Sequence, residues 1–104
     1  MVVGRRRVVW TKSARDALDE AIAYIAQNSP TTARNVLTEI LEKVGTLDRF
    51  SERGRIVPEL EDPVVREVFA YSYRLIYRVS ATEVQVLAVV HQARDFASRL
   101  EKPE

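Results

Sequence analysis

The sequence predicts an α+β domain: an N-terminal strand, then an antiparallel helical hairpin packed on a mainly antiparallel β-sheet. Three observations carry this. Two consecutive stretches repeat apolar residues at three- and four-residue spacing, which places those residues on one face of a helix. The tripeptide Asn28-Ser29-Pro30 separates the two stretches. Three later runs rich in β-branched and aromatic residues are joined by two-residue links, short enough only for antiparallel hairpins. The chain has 104 residues, the size of one domain, with a core over about residues 5–92 and a tail over 93–104.

In order along the chain, RRRVVW (5–10) reads as a short strand, with Val8, Val9 and Trp10 following three arginines. The first helix covers about 13–28, with Ala14, Ala17, Leu18, Ala21, Ile22 and Ile25 on its apolar face. Ser13 and Asp16 have the spacing of a capping box. The second helix covers about 30–49. Ser29 is placed to cap it, and Pro30 suits the first helical position, where a missing N–H costs nothing. Ala33, Val36, Leu37, Ile40, Leu41, Val44 and Leu47 line its apolar face, and Gly45 weakens it by ~1 kcal/mol relative to alanine. SERGRIVPELEDP (51–63) holds Gly54, Pro58 and Pro63 without a sustained period and reads as a loop. Strands follow at 64–70, 73–80 and 83–92. In the second, Tyr73, Leu75, Tyr77 and Val79 alternate with Arg74, Ile76, Arg78 and Ser80, giving one apolar and one arginine-bearing face. The third is apolar on both faces, which suits an interior position. The expected core comprises Leu18, Ile22, Ile25, Val36, Leu37, Ile40, Leu41, Leu75, Tyr77, Val86 and Val90.

Composition removes several classes of chemistry. The chain has no cysteine and one histidine, so disulfides, thiolate catalysis and cysteine- or histidine-rich metal sites are excluded. There is no glycine-rich phosphate loop and no nucleophile elbow. No cofactor and no metal is expected. No run approaches the ~20 apolar residues that span a bilayer, and no signal-like segment follows the basic start, so a cytoplasmic location is expected. Sixteen basic residues against fifteen acidic ones leave a net charge of +1, which argues against a strongly basic nucleic-acid binder. Positive charge is nonetheless concentrated between 64 and 94, where Arg66, Arg74, Arg78 and Arg94 outnumber Glu67 and Glu83.

Two assignments compete for these arginines and for His91. Guanidinium groups grip phosphates in a bidentate fork, and an imidazole donates a proton to a leaving oxygen, a pairing suited to RNA cleavage by a ribose hydroxyl. Alternatively, strand arginines pair with carboxylates such as Glu67 and Glu83, and the strand-end histidine packs or bonds locally. On residue types alone the second is the commoner situation.

SARDALDEAIAYIAQNSPTTARNVLTEI followed by REVFAYSYRLIYRVSATEVQVLAVVHQARD resembles the RelE/ParE family of toxins from type II toxin–antitoxin systems. The resemblance runs from Val8 to about Asp95 and rests on Pro30 with Ala33, Arg66, YRLIYRV and VVHQARD. RFSERGR departs from the pattern, because many relatives have a proline before the glycine. RelE-like members are ribosome-dependent endoribonucleases that cut messenger RNA, and Arg66, Arg74 and His91 match part of their catalytic set. ParE-like members are similar to proteins that poison DNA gyrase. Here no lysine lies between Lys43 and Lys102, and no tyrosine follows His91, so the chain is closer to the ParE side. The resemblance therefore implies a DNA gyrase inhibitor acting in plasmid stabilisation. A ParD-like antitoxin would neutralise it, in a hetero-oligomer without direct sequence-specific nucleic-acid binding. The RelE-like nuclease is the alternative. Arg94 and Asp95 are the candidates for target interaction, and Tyr71, Tyr73, Arg74 and Arg78 for antitoxin binding. On this side of the family His91 finishes the last strand and bonds locally, to Asp95.

Overall fold

A computed structural model describes residues 5–92. Strand β1 (Arg7–Trp10) leads into helix α1 (Lys12–Ala26), and three residues later helix α2 (Pro30–Gly45) begins, followed by a 3-10 turn (Thr46–Asp48). Strands β2 (Arg55–Ile56), β3 (Val65–Ala70), β4 (Tyr73–Val79) and β5 (Glu83–His91) complete the sheet. Its order is β1-β5-β4-β3-β2. β1 pairs with β5 in parallel and the other pairings are antiparallel. The α+β expectation and its element order hold. The tail and residues 1–4 lie outside the described residues.

Capping explains where the helices begin. Ser29 accepts from the Thr32 amide at 3.1 Å, and Pro30 occupies the first turn, as its ring requires. The first cap differs from the sequence expectation. Thr11, not Ser13, caps α1, its hydroxyl accepting from the Ala14 amide at 3.0 Å. Asp16 instead pairs with Lys12 one turn back. Threonine two residues earlier has the same capping chemistry, so the helix starts at Lys12. α2 ends at Gly45 rather than at 49, where the chain tightens into the 3-10 turn.

The main core lies between the helices and one sheet face. It joins Ala14, Leu18, Val36, Ile40, Val44 and Leu47 to Val68, Tyr73, Leu75, Tyr77, Val84, Val86 and Val89. Ile22, Ile25 and Leu37 are half-buried at its margin. Leu41 is 48% exposed and not a core residue. The buried stripe of α2 runs through Ala33, Val36, Ile40 and Val44, and a residue one step past Ile40 is turned about 100° away from it. A second, smaller cluster of Val57, Val65, Ile76 and Val90 packs on the opposite sheet face. Val90 is thus buried, but away from the helices. A register shift explains this. Ile76 pairs with Ala88 while Tyr77 pairs with Val86, leaving Leu87 as an extra residue. The bulge shifts the alternation of β5 by one, so Val84, Val86 and Val89 all face the helices.

β2 is the element the sequence did not indicate. It lies inside the stretch read as a loop and contributes only two residues, with Arg55 opposite Glu67 and Ile56 opposite Arg66. It forms the short sheet edge beside β3.

Candidate functional site

On the sheet face away from the helices, Arg74 and Glu67 occupy adjacent strands on the same side. Phe69 is directly opposite Arg74, so Glu67 is its diagonal neighbour, a spacing long side chains bridge. Arg74 Nε donates to Glu67 at 2.6 Å, and its two terminal nitrogens donate to Glu59 at 2.9 Å each. Glu67 also accepts from Arg55 Nε at 2.5 Å, and the Arg55 guanidinium lies 5.2 Å from the Phe69 ring centre. The result is an alternating ladder, Glu59–Arg74–Glu67–Arg55.

Burial fixes its character. The Glu67 side chain is fully buried and that of Arg74 is 9% exposed. The fork from Glu59, opposed by burial and aided by Glu67, raises the Arg74 pKa above its already high value. The same hydrogen bonds from Arg74 hold the Glu59 carboxyl below its ordinary 4.5 despite partial burial. The Arg74 cation is therefore matched by two carboxylates. Glu67 was legible as a partner, being close in sequence. Glu59 was not, since it reaches Arg74 from the turn after β2, 15 residues away.

The candidate nuclease set is not assembled around one point. Arg66 pairs with Tyr77 in register and lies on the helix side of β3, whereas Arg74 faces the other way. Arg66 donates to the Gly54 carbonyl at 2.9 Å, and its buried Nε has no protein acceptor among the described residues. His91 pairs with Tyr73, four residues along β4 from Tyr77. At roughly 3.4 Å per residue and 4.8 Å per strand, Arg66 and His91 stand roughly 16 Å apart in backbone. The His91 ring packs edge-on against Tyr73 at 5.3 Å. Its expected partner Asp95, with Arg94, lies outside the described residues.

The residues named for partner binding fall on different surfaces. Tyr73 is buried in the main core and Arg74 in the ladder, so neither is presented outward. Arg78 is exposed on the far face. Tyr71 is 53% exposed at the β3–β4 turn, with φ at 57°. Its amide donates to Glu39 at 3.2 Å and its carbonyl accepts from the Gln92 side chain, so three elements hold this strained turn.

The loop before β2 is a second built feature. Tyr77 is buried with its hydroxyl reaching out of the core, donating to the Ser51 carbonyl at 2.8 Å and accepting from the Gly54 amide at 3.0 Å. Burial pushes the Tyr77 pKa up, while the Gly54 amide and the charges of Arg66 and Arg53 oppose it. A Cβ on Gly54 would collide with the Glu67 carbonyl oxygen and stand 2.6 Å from the Tyr77 hydroxyl. Glycine is required there for close approach. Tyr77 and Arg66 pin the RFSERGR loop through its carbonyls and the Gly54 amide.

Comparison with known proteins converges with this geometry. The family model for the ParE toxin of type II toxin–antitoxin systems, parDE, matches residues 8–96. The Y4kP protein of Sinorhizobium fredii (strain NBRC 101917 / NGR234), whose name assigns it provisionally to the toxins, is 31% identical over 91 residues. That match covers 86% of this chain and 91% of the relative. A chain from the chromosomal ParDE system of P. aeruginosa superposes with a TM-score of 0.68 at 26% identity, over 84% of this chain and 96% of that one. A chain of the RelBE2 toxin–antitoxin complex of Mycobacterium tuberculosis shares the fold, with a TM-score of 0.55 at 23% identity, over 89% of this chain and 98% of that one. Among the described residues, no helix is long and apolar enough to cross a membrane.

Proposed function

The chain belongs to the ParE toxin family of type II toxin–antitoxin systems, and we propose that it is a non-enzymatic inhibitor of DNA gyrase neutralised by a ParD-like antitoxin. The observation that carries the choice of target is the dispersal of the nuclease set. Cleavage by a ribose hydroxyl needs a cation and a proton donor at the same phosphate. Arg74 already answers two carboxylates, Arg66 lies on the other sheet face, and His91 packs on Tyr73 at the far end of the sheet. A phosphate entering the open face would have to displace Glu59 from Arg74. The antitoxin is supported by similarity to the chain from the P. aeruginosa ParDE system.

Two readouts in cells expressing the chain test the target. Gyrase-linked DNA breaks with a DNA-damage response are the expected result, together with intact translated messenger RNA. His91→Ala should leave toxicity in place wherever folding is preserved. Codon-positioned messenger cuts without DNA breaks would instead assign the ribosome-dependent nuclease. Co-expression with a ParD-like antitoxin should rescue growth and give a complex that co-purifies. Without either, the neutralisation half of the proposal fails.

A further inference from the structure

Eight guanidinium groups of the described residues fall into two contrasting sets, while Arg15, Arg34 and Arg78 are exposed and belong to neither. Arg5, Arg7, Arg55 and Arg74 each meet a carboxylate. Around the 49–54 loop the pattern reverses. Arg6 donates to the Ser80 carbonyl and the Ser51 hydroxyl, at 2.6 and 2.9 Å. Arg53 donates to the Thr46 hydroxyl at 2.9 Å, and Arg66 to the carbonyls of Gly54 and Glu52. Arg49 is exposed and makes no ion pair among the described residues. These partners orient Arg6, Arg53 and Arg66 without neutralising them. Within residues 49–54 the one carboxylate is that of Glu52, and Asp48 just before them pairs with Arg5. The segment 49–54 thus carries Arg49 and Arg53 against Glu52, with Arg6 and Arg66 reaching onto it, in a chain whose formal net charge is only +1.

Amid this charge sits Phe50, 63% exposed. The loop that carries it is fixed, with the Phe50 amide donating to the Thr46 carbonyl, the Arg53 amide to the Phe50 carbonyl, and Tyr77 holding both Ser51 and Gly54. An exposed ring on a pinned loop loses little freedom on binding. We propose that Phe50 with Arg6, Arg49, Arg53 and Arg66 forms a contact surface for single-stranded nucleic acid, the ring stacking on a base and the guanidiniums taking phosphates. Planar cations beside an exposed aromatic match a charged backbone carrying flat bases. A purely acidic peptide such as polyglutamate would use the cations and leave Phe50 unmatched. A duplex keeps its bases stacked away from the ring. The surface goes beyond the gyrase assignment and does not depend on it, because binding by the purified chain involves neither gyrase nor ribosome.

The test is fluorescence anisotropy of a labelled 15-nucleotide oligothymidine titrated with the full chain between 50 and 200 mM salt. Four phosphate contacts give a log–log salt slope of about −2.8, hence about fiftyfold weakening over that range. Phe50→Ala should weaken binding about tenfold at every salt concentration with the slope unchanged. Arg49→Ala should reduce the slope by about 0.7. Both side chains are exposed, so unchanged thermal unfolding midpoints would show that neither variant acts through folding. Arg34→Ala, on the exposed side of α2, should bind like the parent. The proposal is overturned by no binding at 50 mM salt, by parental affinity in both loop variants, or by a duplex binding as tightly as the single strand. It is overturned equally by a polyglutamate peptide binding more tightly than the oligonucleotide, which would reassign the surface to acidic peptides.

Discussion

Replacing Arg74 by alanine separates a structural role from a catalytic one. Arg74 is the central cation of the ladder, with three hydrogen bonds of 2.6–2.9 Å to Glu67 and Glu59. Its removal strands a fully buried carboxylate, since Glu67 then keeps only Arg55, whose side chain is mostly exposed. Removing one partner of a buried pair typically costs about 3–5 kcal/mol. The surviving Arg55 contact places this case at the lower end, about 3 kcal/mol. Small domains are held by about 5–15 kcal/mol, so the loss is a large share of the total. With a urea m-value of roughly 1.5 kcal/mol per molar, the unfolding midpoint should fall by about 2 M, read by far-ultraviolet circular dichroism. Glu67→Gln combined with Arg74→Met should cost less than the sum of the single changes, because the pair then disappears together. An Arg74→Ala protein of parental stability that has lost all toxicity would refute the reasoning and return Arg74 to a catalytic role.

Four further outcomes follow from the same geometry. Gly54→Ala, whose Cβ would meet the Glu67 backbone and the Tyr77 hydroxyl, should cost about 3 kcal/mol or more, since it overpacks the site and breaks a buried hydrogen bond. Gly45→Ala, with open space around its Cβ, should gain about 0.5–1 kcal/mol, and parallel denaturant titrations compare the two. Tyr77→Phe should lose about 1–3 kcal/mol at neutral pH by leaving the Gly54 amide and the Ser51 carbonyl without their partner. Because burial raises the folded pKa of Tyr77 above 10.0, the parent should also lose stability as pH climbs from 10 towards that folded value, a decline the variant lacks. Glu59 gives the opposite sign. Its folded pKa is depressed by Arg74, so its contribution is complete above 4.5 and fades as pH falls through the folded value. The parent's unfolding midpoint should therefore drop more than that of Glu59→Gln between pH 7 and pH 3.

What was legible in the sequence was local. The helical hairpin follows from a 3.6-residue period and from Ser29 and Pro30, which act within one turn of where they stand. The cap at Thr11 was missed because Ser13 offers the same hydroxyl two residues later. Leu41 continues the apolar stripe of α2 in sequence but stands outside the narrower face that the sheet covers. β2 was invisible because two residues carry no period, and its pairing depends on Gly54, Tyr77 and Arg66, which the fold brings together. The exchange of faces along β5 at Leu87 likewise cannot be read from a run apolar on both sides.

The site is less legible for a deeper physical reason. An arginine on a strand has the same sequence signature whether it awaits a phosphate or already holds a carboxylate, and strand register decides which. Sheet pairing places Glu67 diagonally beside Arg74, and the turn after β2 adds Glu59, so the strand arginine that first suggested chemistry is the most thoroughly neutralised. Loop arginines have no such lattice of neighbours. Arg53 of the loop, with Arg6 and Arg66 that reach onto it, ends on carbonyl and hydroxyl oxygens, which orient a guanidinium and leave its charge intact. Charge that meets only carbonyl and hydroxyl oxygens therefore gathers at the loop before β2, beside Phe50, while on the sheet face Arg74 is matched by carboxylates and Arg78 stays exposed.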